Sequence, residues 1–251
     1  MTYETYQLLI TTWMAIGAVI SLILLRVAAP FGRHTTTGWG PLISNRLGWM
    51  MMEMPGMLLL MYFVLSNGAA QNRVTGVLVG FYMFHYINRA FVYSFRTHTR
   101  GKKIPVAVVC LGICFNVVNG FFLGYYFGHF AHYMNDYFFT PQFMAGTALF
   151  VMGIYINWKY DTILIGLRRP GETGYVIPLG GLFERVSCPN LFGEIIEWSG
   201  YALLCWNLPA VSFLVWTAAN LIPRALSHHR WYRERFGEYP EERKALFPYV
   251  L

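Results

Sequence analysis

The sequence predicts an all-α, multi-pass membrane protein with seven transmembrane helices. Hydrophobic residues make up 56% of the 251 residues, whereas Asp, Glu, Lys and Arg make up only 12%. A soluble domain carries about 25% charged residues, so this chain has too few polar side chains to cover a globule of its size. The composition therefore argues against a disordered chain, a secreted disulfide scaffold and an ordinary cytosolic enzyme. It indicates a single transmembrane domain over residues 1–251.

Apolar stretches long enough to cross a bilayer mark the helices, because a spanning helix needs about 20 mostly apolar residues. The predicted spans are residues 6–29, 47–66, 74–95, 104–127, 143–167, 194–207 and 209–226. The last two form one long apolar stretch, which we divide at Asn207-Leu208-Pro209 because proline interrupts a helix. The first span has no basic residues before it, so we expect a retained helix and not a cleaved signal peptide.

The basic residues predict how these helices are oriented. If the loop after the first helix is cytoplasmic, 16 of the 19 Lys and Arg residues lie on the cytoplasmic side. Only Arg73 lies on the opposite side, and Arg89 and Lys159 lie within spans. Because cytoplasmic loops of membrane proteins are enriched in Lys and Arg, this distribution favours seven helices, with the N-terminus outside and the C-terminus in the cytoplasm.

Ionisable residues inside the predicted spans are candidate functional residues, because burying a charge in a membrane is costly. Glu53 lies near the start of the second helix, where burial favours a protonated carboxyl that can donate a hydrogen bond. A structural bond from Glu53 to Arg89 or to an asparagine is the alternative. On the third helix, Tyr86, Arg89 and Tyr93 are three and four residues apart and are expected to share a face. Aromatic residues at this spacing more often serve packing than catalysis.

Polar side chains also collect at the predicted cytoplasmic ends of helices five, six and seven, where each helix carries three of them on one face. These are Asn157, Tyr160 and Asp161, then Glu194, Glu197 and Trp198, and finally Arg224, His228 and Tyr232. The basic stripe on helix seven could bind lipid headgroups or the phosphates of an anionic cofactor. Together the three groups indicate a large polar ligand that enters from the cytosol.

The common nucleotide, metal and nucleophile motifs are absent from the sequence. No GxGxxG follows a strand and no GxxxxGK[ST] occurs, so neither a Rossmann fold nor a P-loop is predicted. No HExxH, cysteine cluster or GxSxG occurs, and we predict no metal site. The four cysteines fit buried small hydrophobic residues.

Several blocks of sequence instead carry a resemblance to a known family. They are His85-Tyr86 with residues 89–94, then residues 169–172, 177–178 with 180–183, 190 with 192–198, 224–225 with 228–230, and 243–246. In this order and spacing, over nearly the whole chain, the sequence resembles the steroid 5α-reductases. These are polytopic NADPH-dependent enzymes that reduce the 4,5 double bond of 3-oxo-Δ4 steroids.

The resemblance implies roles for individual residues. Glu53 and Tyr86 match the pair that holds and polarises the steroid 3-oxo group. Met52, Met57, Arg89 and Asn119 are expected to join them around the steroid. NADPH is the implied cofactor, and its expected contacts are Arg33, Arg100, Lys102, Asn157, Asp161, Arg168, Tyr175, Asn190, Glu194, Trp198, Arg224, His228 and Tyr232. Two positions depart from the family pattern: Met52 replaces a common glutamine, and Val176 replaces an arginine.

Other functions remain open from the sequence. A reductase of another sterol or enoyl lipid and a membrane enzyme like the isoprenylcysteine methyltransferases are the nearest alternatives. An ion-coupled transporter is the alternative from another class, because intramembrane acids and bases also mark ion pathways. We expect the steroid to enter from the lipid phase, with membrane lipids around the protein, no nucleic acid and no obligate protein partner. The membrane is the inner membrane if the chain is bacterial and the endoplasmic reticulum if it is eukaryotic.

Overall fold

The computed structural model describes residues 1–30, 32–97, 101–167 and 174–251, and it is predominantly helical. Within these ranges seven long helices follow one another: α1 (Tyr3–Leu24), α2 (Asn45–Ser66), α3 (Arg73–Ile87), α4 (Val106–His129), α5 (Pro141–Gly166), α6 (Pro189–Cys205) and α7 (Leu208–Arg235). A two-stranded antiparallel sheet, β1 (Leu42–Ser44) and β2 (Lys103–Pro105), joins the segments that precede α2 and α4. Each helix overlaps one of the predicted spans.

The bounds of three helices differ from the predicted ones by five residues or more, whereas the third ends within one residue of its prediction, as a π-helical segment, Asn88–Tyr93, and a last turn, Ser94–Arg96. The first helix ends at Leu24 instead of residue 29. The sixth begins at Pro189 instead of residue 194. The seventh runs to Arg235, well beyond residue 226. Between the last two helices, Asn207 caps α7 through its side chain, at the place where the sequence analysis divides the long apolar stretch.

Among the described residues, three helices are long and apolar enough to cross a membrane by length and composition, namely α1, α2 and α4. Of the remaining four, α3 and α6 are shorter, with 15 and 17 residues, and α5 and α7 carry more polar residues. The count of seven spans and the orientation of the termini therefore stay predictions.

Glycines allow two pairs of helices to pack with their backbones in contact. On α4, Gly120 faces Gly56 of α2, and a Cβ at position 120 would lie 2.6 Å from the Gly56 carbonyl oxygen. On α5, Gly146 faces Leu204 of α6 in the same way, at 2.6 Å from the Leu204 nitrogen. Close approach through small residues is the usual way in which membrane helices associate.

An aromatic core lies where α3, α6 and α7 meet. Trp198 stands at its centre, with ring centroids 4.1 Å from Phe213 and 5.5 Å from Tyr201. The rings of Tyr82 and Tyr86 stack on each other at 4.5 Å and contact the same tryptophan. This packing fixes the position of the Tyr86 ring, which is 2% exposed.

The C-terminal tail is bound to the segment before α6. Val186 pairs with Lys244 in a parallel bridge, and the Ser187 amide donates to the Lys244 carbonyl oxygen. The Ser187 hydroxyl also bonds the His229 ring and the Tyr239 hydroxyl, at 2.7 and 2.6 Å. The tail thereby holds the residues that precede α6 against α7.

Candidate functional site

A pocket lies between the ends of α2, α3, α5, α6 and α7 and the segments around residues 32 and 175. It brings together eight of the predicted cofactor residues, which are Arg33, Lys102, Asp161, Tyr175, Asn190, Arg224, His228 and Tyr232. The four-residue spacing of the last helix places Arg224, His228 and Tyr232 on one side of α7, as the sequence predicts. Arg100 and Arg168 lie outside the described residues.

Arg33 is held between aromatic rings at the mouth of this pocket. Its guanidinium carbon lies 5.1, 4.6 and 4.5 Å from the ring centroids of Tyr175, Trp231 and Tyr232. Its Nη2 donates to the Tyr232 hydroxyl at 3.3 Å. Its Nη1 is buried and has no hydrogen-bond partner among the described residues. A fixed guanidinium with a spare donor is suited to binding an anionic oxygen.

Two histidines adjoin this arginine. His34 Nε2 lies 3.3 Å from His228 Nδ1, and the two rings are nearly parallel. Burial, and then the charges of Arg33 and Arg224, lower the pKa of His34. The ring is therefore neutral near pH 7, and an anion bound beside it would favour its protonation.

Asp161 and Asn190 form part of the wall of the pocket, and a buried network of charges and amides holds them in place. Arg89 Nη1 donates to Asp161 Oδ2 at 3.3 Å, and its Nη2 lies 3.9 Å from Glu194 Oε2. Asn190 donates to the other Asp161 oxygen at 2.9 Å. Asn157 supports the network from behind by donating to the Asn190 carbonyl oxygen at 3.0 Å. Arg89 therefore bonds acids of the predicted cofactor group, and it forms no ion pair with Glu53 among the described residues.

Neither Tyr86 nor Glu53 is among the described residues that line this pocket. Tyr86 points to helix α4. Its hydroxyl donates to Asn116 Oδ1 at 2.6 Å, and Asn116 Nδ2 donates to the Met52 carbonyl oxygen at 2.7 Å. Glu53 follows Met52 on α2 and is half-buried. In the part of the chain that the structure describes, the Glu53 carboxyl makes no hydrogen bond. The predicted pair thus shares a region of the protein, and Asn116 is the direct partner of Tyr86.

A second buried pair lies beside Tyr86. His85 Nδ1 and Glu197 Oε1 are 2.5 Å apart, and both residues are buried. The His85 ring also packs on Trp198, with centroids 4.5 Å apart. The pair joins α3 to α6. The sequence places Glu197 on the face of Glu194, but only the packing of two helices brings it to His85.

The other predicted site residues occupy varied positions. Trp198 lies in the aromatic core, and Met52 and Met57 are buried on α2. Asn119 is buried too, but it faces α1, where Trp13 Nε1 donates to it at 3.4 Å. The sequence analysis missed several pocket-lining residues, namely Asn45, Arg46, Trp49 and Thr97. They lie near the ends of α2 and α3, and their residue types alone carry no signal of binding.

Comparison with known proteins gives consistent similarities. A family described as 3-oxo-5-alpha-steroid 4-dehydrogenase matches residues 102–251. The chain is 40% identical to a steroid 5-alpha-reductase DET2 of Gossypium hirsutum over 98% of this chain and 96% of that protein. It is 40% identical to 3-oxo-5-alpha-steroid 4-dehydrogenase 1 of Rattus norvegicus, over 93% and 91%. The human protein of the same name is 36% identical, over 94% and 92%.

Proposed function

The chain belongs to the 3-oxo-5-alpha-steroid 4-dehydrogenase family, and from this premise we propose that it reduces the 4,5 double bond of 3-oxo-Δ4 steroids with NADPH. Membership makes the protein an oxidoreductase of steroid metabolism. The observation that supports the proposal best is the pocket, which brings together eight of the predicted cofactor residues, with Arg33, Lys102 and Arg224 among them.

The pocket suits a dinucleotide cofactor with phosphates. Arg33 has a buried guanidinium nitrogen without a hydrogen-bond partner among the described residues, which a phosphate oxygen would satisfy. Lys102, Arg224 and His228 supply further donors around the same space. The wall of the pocket offers Asp161 and the nearby amides, which suit hydroxyl and carboxamide groups. When bound there, NADPH supplies the hydride that C5 of the steroid receives.

Glu53 and Tyr86 polarise the steroid ketone. As C5 accepts the hydride, negative charge develops on the 3-oxo oxygen, and a protonated Glu53 and the Tyr86 hydroxyl donate hydrogen bonds to that oxygen. Such donors are most effective in a dry site, where the loss of one typically costs about 10²–10³ in rate. Proton uptake at C4 then completes the reduction. The aromatic core that surrounds Tyr86 keeps water away from this oxygen.

The reactants reach the site from different phases. We propose that all seven helices cross the membrane, with the N-terminus outside and the pocket at the cytoplasmic side. The steroid then enters from the lipid, and the cofactor enters from the cytosol. Labelling of single cysteines introduced at Gly38 and at Asn135, in a protein whose four native cysteines are replaced by alanine, from either side of sealed vesicles tests this orientation. The label must reach Gly38 from the cytoplasmic side and Asn135 from the outside.

Turnover of purified protein with NADPH and a panel of 3-oxo-Δ4 steroids tests the activity. Tyr86→Phe should lower turnover at least 100-fold while NADPH still binds, because only the donor to the ketone is lost. Glu53→Gln keeps a donor and should retain more activity than Glu53→Ala. The double variant of Glu53 and Tyr86 should be little worse than the worse single one, because both serve one oxygen. Full turnover in Tyr86→Phe, or strictly additive losses, would refute the mechanism.

A further inference from the structure

Asn116 is the one polar residue in a row of glycines on α4. Residues 112, 116, 120, 124 and 128 recur every four positions and therefore share a face. A Cβ at each of the four glycines would lie within 2.9 Å of an atom of α2. The row brings the two backbones so close that the short Asn116 side chain reaches the Met52 carbonyl of α2.

The bond to Met52 fixes which end of the Asn116 amide faces Tyr86. A carbonyl can only accept, so the Asn116 Nδ2 group must face Met52, and Oδ1 must face the Tyr86 hydroxyl. Turning the amide over would place Oδ1 against the Met52 carbonyl oxygen at hydrogen-bond distance and would lose the bond to Met52. Towards Tyr86, Asn116 is therefore an acceptor.

This arrangement creates a competition for one proton. The Tyr86 hydroxyl has a single proton, and its ring is held by Tyr82, Trp198 and Phe213. Only the direction of the O–H bond is free to change. We propose that Asn116 is a positioning residue, an inference that rests on the proposed function. In the steroid-free enzyme Asn116 accepts the hydrogen bond from the Tyr86 hydroxyl, and when the steroid binds, this hydroxyl donates to the steroid ketone instead.

Asn116 thereby adjusts the affinity for the ketone without touching it. Ketone binding exchanges one hydrogen bond of Tyr86 for another, so the steroid gains only the difference between them. A conjugated ketone is a stronger acceptor than an isolated one, because its double bond donates electron density to the oxygen. A 3-oxo-Δ4 steroid therefore displaces Asn116 as the acceptor of the Tyr86 hydroxyl more easily than its saturated product does. When that product leaves, the Tyr86 hydroxyl donates to Asn116 again.

Steroid affinity of the complex with NADP⁺ tests this role, because no turnover is needed. The variant Asn116→Leu removes the acceptor at similar size, and Asn116→Ala removes it without a branched side chain. Either should bind a 3-oxo-Δ4 steroid such as testosterone about three- to tenfold more tightly, the factor for one net hydrogen bond. Asn116→Asp in its protonated form can make both original bonds, so it should stay within about twofold of the wild type.

Two controls separate this role from a structural one. Repeated in the Tyr86→Phe background, the Asn116 substitutions should leave steroid affinity unchanged, because no hydroxyl proton remains to be contested. An analogue without the 3-oxo group should bind equally to Asn116→Leu and to the wild type. Equal changes in both backgrounds, or weaker ketone binding by Asn116→Leu and Asn116→Ala, would overturn the proposal. If Tyr86→Phe itself changes neither turnover nor ketone affinity, the proposed function of Tyr86 fails instead.

Discussion

Replacing Gly120 with alanine should destabilise the protein, because α2 and α4 are in backbone contact at this glycine. The added Cβ would lie 2.6 Å from the Gly56 carbonyl oxygen and 2.7 Å from the Gly56 Cα, whereas ordinary contact begins near 3.4 Å. The two backbones would have to separate by roughly 0.8 Å, since backbone atoms cannot move aside as a flexible side chain can. Overpacking of this kind costs about 1–3 kcal/mol. Alanine recovers about 0.5–1 kcal/mol through its better helix propensity.

The midpoints of these two ranges leave a net loss of about 1 kcal/mol, which corresponds to a fall in Tm of about 2–4 °C for a chain of this size. Thermal unfolding of the purified protein in detergent, followed by tryptophan fluorescence, measures it. Gly80→Ala is the matched control, because Gly80 lies inside α3 and a Cβ there meets no atom within 4 Å. Its Tm should stay equal or rise slightly. A Gly120→Ala protein as stable as Gly80→Ala would refute the reasoning about close approach.

Three further predictions concern the pocket and the pair beside Tyr86. Arg33→Gln should weaken NADPH binding about 10- to 100-fold and leave the steroid constant within about twofold, as one charged hydrogen bond is lost; an unchanged fluorescence titration with NADPH would contradict this. NADPH should bind more tightly as the pH falls from about 8 to 6, because the lowered pKa of His34 keeps its ring neutral and bound phosphate favours the protonated form. His34→Gln should flatten that profile, and a profile of the same slope would exclude His34 as its cause. Glu197→Ala should lower the Tm much more than Glu197→Gln, because only the amide still bonds the buried His85; equal Tm values would show that the bond is not stabilising.

The helices could be predicted from the sequence because burial in lipid requires long apolar stretches. Their ends could not, because apolar loops and apolar helix turns have the same composition. Residues 25–29 are apolar apart from Arg26, yet α1 has already ended at Leu24. The prediction missed the extension of α7 to Arg235 because the last two turns of this helix are polar, and hydropathy detects only the apolar part of a helix.

The residues at the mouth of the pocket could be predicted from the sequence, whereas the buried contacts between helices could not. Arg224, His228 and Tyr232 lie on one helix, so spacing alone places them together. Tyr86 and Asn116 lie on different helices, as do His85 and Glu197, and their contacts depend on how the helices are rotated against each other. The sequence analysis accordingly chose Asn119 as a steroid contact, whereas the structure brings Asn116 to Tyr86.

The π-helical segment of α3 explains how one helix serves both parts of the site. By regular helical spacing, Tyr86, Arg89 and Tyr93 would share one face. The segment Asn88–Tyr93 has wider turns, which change the direction of the residues that follow it. Tyr86, before the segment, donates to Asn116 on α4, whereas Arg89, within it, bonds Asp161 on α5. π-helical turns are rare within α-helices, so neighbouring contacts must support this one. The ion pairs of Arg89 with Asp161 and Glu194 provide that support.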